Sequence, residues 1–182
     1  MLDKGVISLL EKIENYLKEF DCYEKPGRVF YSNFHTLKEG DFSIFGYNPG
    51  GSPLYENTLI KDELKDPKYL NPWFNAYIDE SWHRINPFTK RPMTIKAGED
   101  ALQKSIQFIF NEIIEYDLRK VYATNLIFIR SQSSYDISNW KDLAEKCWHI
   151  HEEILKVVTP RVILSFGRDT SYFLAKNLDI KK

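Results

Sequence analysis

The sequence contains only two cysteines, Cys22 and Cys147, in 182 residues. Two thiols cannot form the disulfide framework that stabilises many small secreted domains. The chain also lacks a signal-peptide pattern at its N-terminus, and no apolar run approaches the roughly 18 residues that a membrane-spanning helix needs. These absences favour a soluble, intracellular protein, and we expect a cytoplasmic monomer that does not act at a membrane.

A charge excess is also absent, because 25 basic residues stand against 26 acidic ones and the net charge is −1. This balance removes the simplest sequence argument for nucleic-acid binding, a strongly cationic domain, although it is compatible with a site that touches a few phosphates. The length predicts one domain over residues 1–182. Aromatic residues are abundant, at 15%, so the core or a binding face must be rich in rings.

Patterns of metal ligands are sparse. Cys147 and His151 stand four residues apart in a predicted helix, which places both on one helix face. Two ligands do not complete a zinc site, so we expect a packed thiol and a surface imidazole at these positions. The sequence predicts no metal site.

Hydrophobic periodicity divides most of the chain into alternating helices and strands. The helical spacing of apolar residues predicts helices over 6–20, 102–113 and 140–154, with a short last helix after Gly167. Short apolar runs bounded by turn residues predict strands over 28–31, 42–45, 120–126 and 161–166. This alternation predicts an α/β fold with a parallel sheet and helices on both of its faces.

Residues 54–98 form a long stretch in which no period persists. A loop of this length inside a compact domain is commonly functional, and its many rings argue against disorder. We therefore predict that the part from Tyr55 to Phe88 covers the binding pocket and supplies at least one ring to its wall.

The segment Gly46-Tyr47-Asn48-Pro49-Gly50 follows the strand predicted over 42–45, and Asn125 lies at the end of another predicted strand. Ligands of parallel α/β sheets bind beyond the carboxyl ends of the strands, so both features point to one site. A tight, rigid turn would explain the glycines and the proline equally well. A phosphate-binding nest is a further interpretation, although the spacing matches neither the Walker motif nor the dinucleotide fingerprint.

Residues 42–50, with the sequence FSIFGYNPG, resemble the first motif of the uracil-DNA glycosylase superfamily, in the Gly-Xaa-Asn-Pro-Gly form of its mismatch-specific uracil/thymine branch. Residues 124–131 and 160–167 resemble two later strands of that superfamily. The resemblance implies a three-layer α/β/α sandwich with a parallel four-stranded sheet. The implied activity is hydrolysis of the bond between a base and deoxyribose in DNA, with no metal or organic cofactor.

The same resemblance implies roles for particular residues. Asn48 would be the catalytic residue that positions water, and Arg130 and Ser131 would contact phosphate. The residues implied to bind the base are Gly46, Tyr47, Pro49, Gly50 and Asn125. The candidates for a ring that stacks on the base are Tyr47, Trp73, Phe74, Tyr77 and Trp82.

One feature of the superfamily is missing from this sequence. A His-Pro-Ser or Asn-Pro-Ser segment should follow the strand over 161–166, and none occurs before Lys182. Either the chain is truncated at its C-terminus or it has lost half of the site, so we expect slow uracil excision or none. The partner that the resemblance implies is DNA that contains uracil or a mismatch, or a free base or nucleotide. The alternative hypothesis is a non-catalytic base- or nucleotide-binding module on the same fold, which would serve as a sensor, scaffold or antagonist.

Overall fold

The computed structural model of the protein describes residues 2–51, 56–86, 88–89, 91–131 and 136–178. The α-helices in these ranges are α1 (Lys4–Glu19), α2 (Ile60–Glu63), α3 (Ala76–Asp79), α4 (Ala101–Phe108), α5 (Trp140–Val158) and α6 (Arg168–Asn177). The strands are β1 (Phe42–Gly46), β2 (Trp82–Ile85), β3 (Pro92–Ile95), β4 (Tyr122–Asn125) and β5 (Val162–Ser165). In the described part of the chain, no helix is long and apolar enough to cross a bilayer.

The main sheet contains three parallel strands in the order β4-β1-β5. The predicted α/β class with a parallel sheet is therefore confirmed. The four-stranded sheet that the glycosylase resemblance implied is wrong, because only three of the four predicted strands pair in this way.

The fourth predicted strand, residues 28–31, runs beside β4 without forming a regular ladder. Phe30 makes an isolated antiparallel bridge with Thr124. At other positions, side-chain hydroxyls replace one partner of a backbone hydrogen bond. The Thr124 hydroxyl donates to the Val29 carbonyl at 2.7 Å, and Ser32 Oγ accepts from the Ala123 N–H at 3.0 Å. The segment thus borders the sheet in the opposite direction to its strands.

Helical segments cover both faces of the sheet. Successive side chains of a strand point to opposite faces. In β1, the Phe45 ring lies 5.0 Å from the ring of His151 on α5, between ring centres. Phe42 points the other way and meets Phe110, just beyond α4, at 5.8 Å. Burial of Ile44 and Phe45 between these layers fixes the sheet in the core.

The helix ends follow local sequence signals to different degrees. Asp100 caps α4 in a capping box with Gln103. At the start of α5, Asn139 occupies the cap position, but its side chain makes no capping hydrogen bond.

In the aperiodic stretch 54–98, the described residues form short elements that have too few residues for a period to appear. Within its described residues, α2 and α3 are each a single turn, and β2 pairs with β3 as an antiparallel hairpin. Tyr55 lies outside the described residues. Phe74 and Tyr77 are buried, whereas Trp73 and Phe88 are exposed.

Candidate functional site

A pocket of about 900 Å³ lies beyond the carboxyl ends of the parallel strands. Its floor includes Gly46 at the end of β1, Asn125 at the end of β4, and Gly167 after β5. One wall is the loop that follows β1, and the opposite wall comes from Tyr77 and the strand β2. The pocket therefore occupies the position where α/β sheets commonly bind ligands.

Gly46 and Asn125 are register partners on neighbouring strands. A β-carbon at Gly46 would lie 2.0 Å from Oδ1 of Asn125, so the glycine makes room for the amide. Asn125 is buried, and its Nδ2 has no well-formed hydrogen bond to any described residue, although the amide is close enough to the Tyr31 hydroxyl to oppose the rise in the pKa of that phenol. A buried amide N–H₂ without a partner is costly unless a ligand or water accepts from it.

The loop after β1 is braced by its own side chains. Asn48 Nδ2 donates to Ser131 Oγ at 2.8 Å and to the Pro49 carbonyl at 3.0 Å. Arg130 donates to the Gly50 carbonyl and pairs with Glu56 at 2.8 Å. Asn48 lines the pocket together with Asn125, but its amide nitrogen is engaged within the protein.

Most of the residues singled out from the sequence meet at this pocket. Those that line its described part are Gly46, Tyr47, Asn48, Gly50, Asn125 and Arg130. Pro49 is buried in the loop and Ser131 lies behind Asn48, so neither contributes to that lining. The roles assigned to these residues in binding a base or phosphate stay predictions.

Three aromatic rings pack together in the pocket lining and form a ring wall, with Tyr31 next to the side chain of Asn125. The rings of Tyr31 and Tyr77 stack at 5.7 Å, and Trp82 meets them edge-on at 6.4 Å and 5.9 Å. Of the five predicted rings, Tyr47, Tyr77 and Trp82 line the pocket, whereas Phe74 packs on Tyr69 and Trp73 lies at the surface. Stretch 55–88 thus supplies rings to the wall, as we expected. Tyr31 was missed because nothing in its short apolar run distinguishes it from a core residue.

Arg28 is a second residue that the sequence did not reveal. This buried guanidinium pairs with Glu80, and its Nε lies 3.1 Å from the Glu63 carboxylate. It also stands 4.4 Å over the ring of Tyr31. Burial disfavours ionisation of Glu80, but the positive charges of Arg28 and Lys68 outweigh it and hold the pKa of Glu80 below its ordinary value.

Charges of both signs line the pocket in equal number. The basic ones are Arg28, Lys68, Arg84 and Arg130, and the acidic ones are Glu56, Glu63, Asp66 and Glu80. Burial raises the pKa of Glu56 although Arg130 opposes this shift. Burial also raises the pKa of Tyr31, against the effect of Arg28 and Arg130. Because the positive and negative side chains are equal in number, the pocket suits a ligand whose enclosed part carries little net charge.

Three buried N–H donors on lining residues have no well-formed hydrogen bond to any residue that the structure describes. They are Nη2 of Arg28, Nδ2 of Asn125 and Nε of Arg130. Each belongs to a side chain whose other polar contacts or packing hold it in place. The arrangement is therefore equipped to receive several acceptor atoms next to a ring wall.

Cys147 and His151 do not form part of this site. His151 is fully buried, not at the surface as predicted, and its Nε2 lies 3.1 Å from the Leu126 carbonyl. Its ring packs between Phe45 and Phe128, and burial lowers its pKa to about 4. Across the described ranges, no group of three or more His, Cys, Asp or Glu side chains could hold a metal ion.

Comparison with known proteins corrects the sequence interpretation. No model of a protein family matches the chain. The chain is similar to an epoxyqueuosine reductase, QueH, from Histophilus somni (strain 129Pt), with 29% identity over 103 residues. The match spans 57% of this chain but only 40% of that protein's length.

This relative is named as a reductase and not as a glycosylase. The assignment to the uracil-DNA glycosylase superfamily, to DNA repair and to hydrolysis of glycosidic bonds is therefore wrong. The non-catalytic module on that fold is no better supported by the similarity. The reason for the error is visible in the structure, since packing against Asn125 and bonds within the loop account for Gly46 and Asn48 without any glycosylase chemistry.

Proposed function

We propose that the pocket binds a modified nucleoside and that the chain takes part in its enzymatic conversion. The observation that carries this proposal is a set of three donors, on Arg28, Asn125 and Arg130, that lack a well-formed partner among the described residues and lie beside the Tyr31–Tyr77–Trp82 ring wall. A nucleoside offers both a flat ring system that can pack on aromatic side chains and several oxygen and nitrogen acceptors.

The similarity to QueH supports the same ligand class. Epoxyqueuosine, the compound in the name of that protein, is a modified nucleoside. The match spans less than half of that protein, so the similarity alone does not assign its reaction to this chain. We propose the reduction of epoxyqueuosine as the reaction that this chain takes part in. The conversion would break both C–O bonds of the epoxide, form a C=C bond and release the oxygen as water, with two electrons from an added reductant and two protons from the solvent.

Isothermal titration of the protein with epoxyqueuosine, queuosine and adenosine tests the binding. We expect the two queuosine compounds to bind, and we expect Asn125→Ala to weaken them by about tenfold or more because an unpartnered donor is lost from the site. Asn15→Ala, which changes an exposed asparagine on α1, is the matched control and should bind as the wild type does. Equal affinities of the Asn125 and Asn15 variants would refute the assignment of the pocket.

The conversion is tested separately. Epoxyqueuosine is incubated with the protein and dithionite, and the nucleosides are analysed by mass spectrometry for loss of one oxygen. We expect queuosine to form faster with the wild type than with Asn125→Ala. If the protein binds epoxyqueuosine but does not speed its conversion, the proposed catalytic activity is wrong, whereas the proposal that the pocket binds a modified nucleoside is unaffected.

A further inference from the structure

The β2–β3 hairpin and its connection carry a local excess of positive charge. Between Glu80 and Glu99 the sequence contains no acidic residue but four basic ones, Arg84, Lys90, Arg91 and Lys96. The net charge of the whole chain is −1, so this excess is concentrated in one arm. We call residues 82–96 the basic arm.

The base of the basic arm is fixed to the pocket wall. Trp82 packs edge-on against Tyr31 and Tyr77. On β2, Arg84 pairs with the buried carboxylate of Asp100 at 2.7 Å. These contacts hold the arm beside the pocket, so a strand bound along the arm would have one of its nucleosides close to the pocket.

The far end of the arm presents a ring to solvent. Asn86 Oδ1 accepts hydrogen bonds from the N–H groups of Phe88 and Thr89 at 2.9 Å and 3.0 Å. The Asn86 N–H in turn donates to the Arg91 carbonyl at 2.8 Å. The Phe88 side chain is nevertheless 91% exposed. The turn therefore displays this ring without burying it against the protein.

Two exposed cations lie on the same arm as this ring, Arg91 beside the turn and Lys96 just beyond the other end of β3. Arg91 and Lys96 are exposed, and in the described part of the chain neither pairs with an acidic side chain within 4 Å. An apolar protein partner would need no such charge, whereas a nucleic-acid strand offers both phosphates and stackable bases. A second copy of this chain, with its slight negative charge, offers no comparable density of anions.

We propose that the basic arm binds single-stranded RNA that flanks the nucleoside in the pocket. Phe88 stacks on a base, and Arg91 and Lys96 contact phosphates. The choice of RNA over DNA rests on the proposed function, because the ligand named there is a ribonucleoside. The contact of the arm with a strand follows from the ring and the charges alone.

The test is fluorescence anisotropy with a fluorescein-labelled 12-nucleotide RNA that contains only unmodified bases. We expect Phe88→Ala to weaken binding about 5- to 100-fold, the range for loss of one base stacked on an aromatic ring. Phe108→Ala is the matched control, since that ring is 59% exposed on α4, away from the arm. It should leave the affinity unchanged.

Salt dependence tests the phosphate contacts. We expect the double variant Arg91→Ala/Lys96→Ala to reduce the slope of log K against log salt by about 1.4, or about 0.7 for each lost contact with a single strand. Lys120→Ala/Arg161→Ala removes the same charge at the amino ends of β4 and β5 and should keep the wild-type slope. Circular dichroism melting of all variants verifies that they are folded.

Several outcomes are decisive. Equal affinities of Phe88→Ala and Phe108→Ala, or equal slopes of the two double variants, would overturn the proposal. Binding of the matching DNA as tightly as the RNA would overturn the choice of RNA. Arm-dependent RNA binding by a protein that fails to bind epoxyqueuosine or queuosine would support the arm and count against the proposed function.

Discussion

The side-chain oxygen of Asn125 occupies the space that a β-carbon of Gly46 would need, at 2.0 Å from its ideal position. The two residues are partners in the parallel pairing of β1 with β4. A glycine on one strand thus determines where an amide on the next strand can lie. The position of Asn125 in the pocket depends on this pair.

Gly46→Ala should destabilise the protein and weaken nucleoside binding together. The new methyl group collides with Asn125, and overpacking of this kind typically costs about 1–3 kcal/mol in the free energy of unfolding. Gly40→Ala is the matched control, because Gly40 lies outside the pocket lining and a β-carbon there would meet its nearest atom, the Lys38 carbonyl oxygen, at an ordinary 3.8 Å. Urea denaturation and titration of both variants measure the two effects. The double variant Gly46→Ala/Asn125→Ala should lose less stability than the sum of its single changes, and strict additivity would contradict the collision.

Arg28→Met should lower the free energy of unfolding by about 1–3 kcal/mol, because it removes the buried cation from Glu63 and Glu80 and leaves them only Lys68 as a partner. Arg161→Met alters an arginine that is 84% exposed and should change stability by less than about 0.5 kcal/mol. Chemical denaturation at neutral pH compares the two. A loss below about 1 kcal/mol for Arg28→Met would show that the ion network contributes little to folding.

His151 should make the protein less stable in mild acid. Its pKa in the folded state is about 4, below the ordinary 6.5, because burial disfavours the imidazolium. The unfolded chain therefore takes up a proton that the folded chain rejects as pH falls from 6.5 to 4, and up to about 3 kcal/mol of stability is lost in that window. His151→Gln should remove this component from the pH dependence of the unfolding free energy. His149→Gln, an exposed histidine on the same helix, should keep it. Identical pH profiles of the two variants would contradict the prediction.

Asn48 should prove important for the stability of the loop after β1. Asn48→Ala removes the hydrogen bonds to Ser131 and Pro49 and should cost about 1–2 kcal/mol. Asn48→Asp should cost more at pH 7, since it places an acceptor against the Pro49 carbonyl in place of a donor. Thermal unfolding with Asn15→Ala as control provides the measurement. If Asn48→Asp were as stable as the wild type, the bracing role would be wrong.

The sequence located the site better than it identified the chemistry. The carboxyl ends of strands could be predicted from apolar runs followed by glycine and proline, so Gly46 and Asn125 could be placed together. The contribution of Arg28 and Tyr31 to the pocket could not be predicted. These residues belong to an irregular segment that pairs with β4 partly through side-chain hydroxyls. The β2–β3 hairpin was equally hidden, since its strands have four residues each and lack a clear alternation in burial.

The order β4-β1-β5 leaves one side of β5 without a strand partner among the described residues. Open strand edges invite pairing with other chains, and proteins commonly protect them by shortness and charge. Here β5 has only four residues and is flanked by Arg161 and Arg168, both exposed. A strand of four residues exposes few unpaired backbone groups, so the shortness of β5 limits the edge-to-edge pairing that this border of the sheet can offer to another copy of the chain.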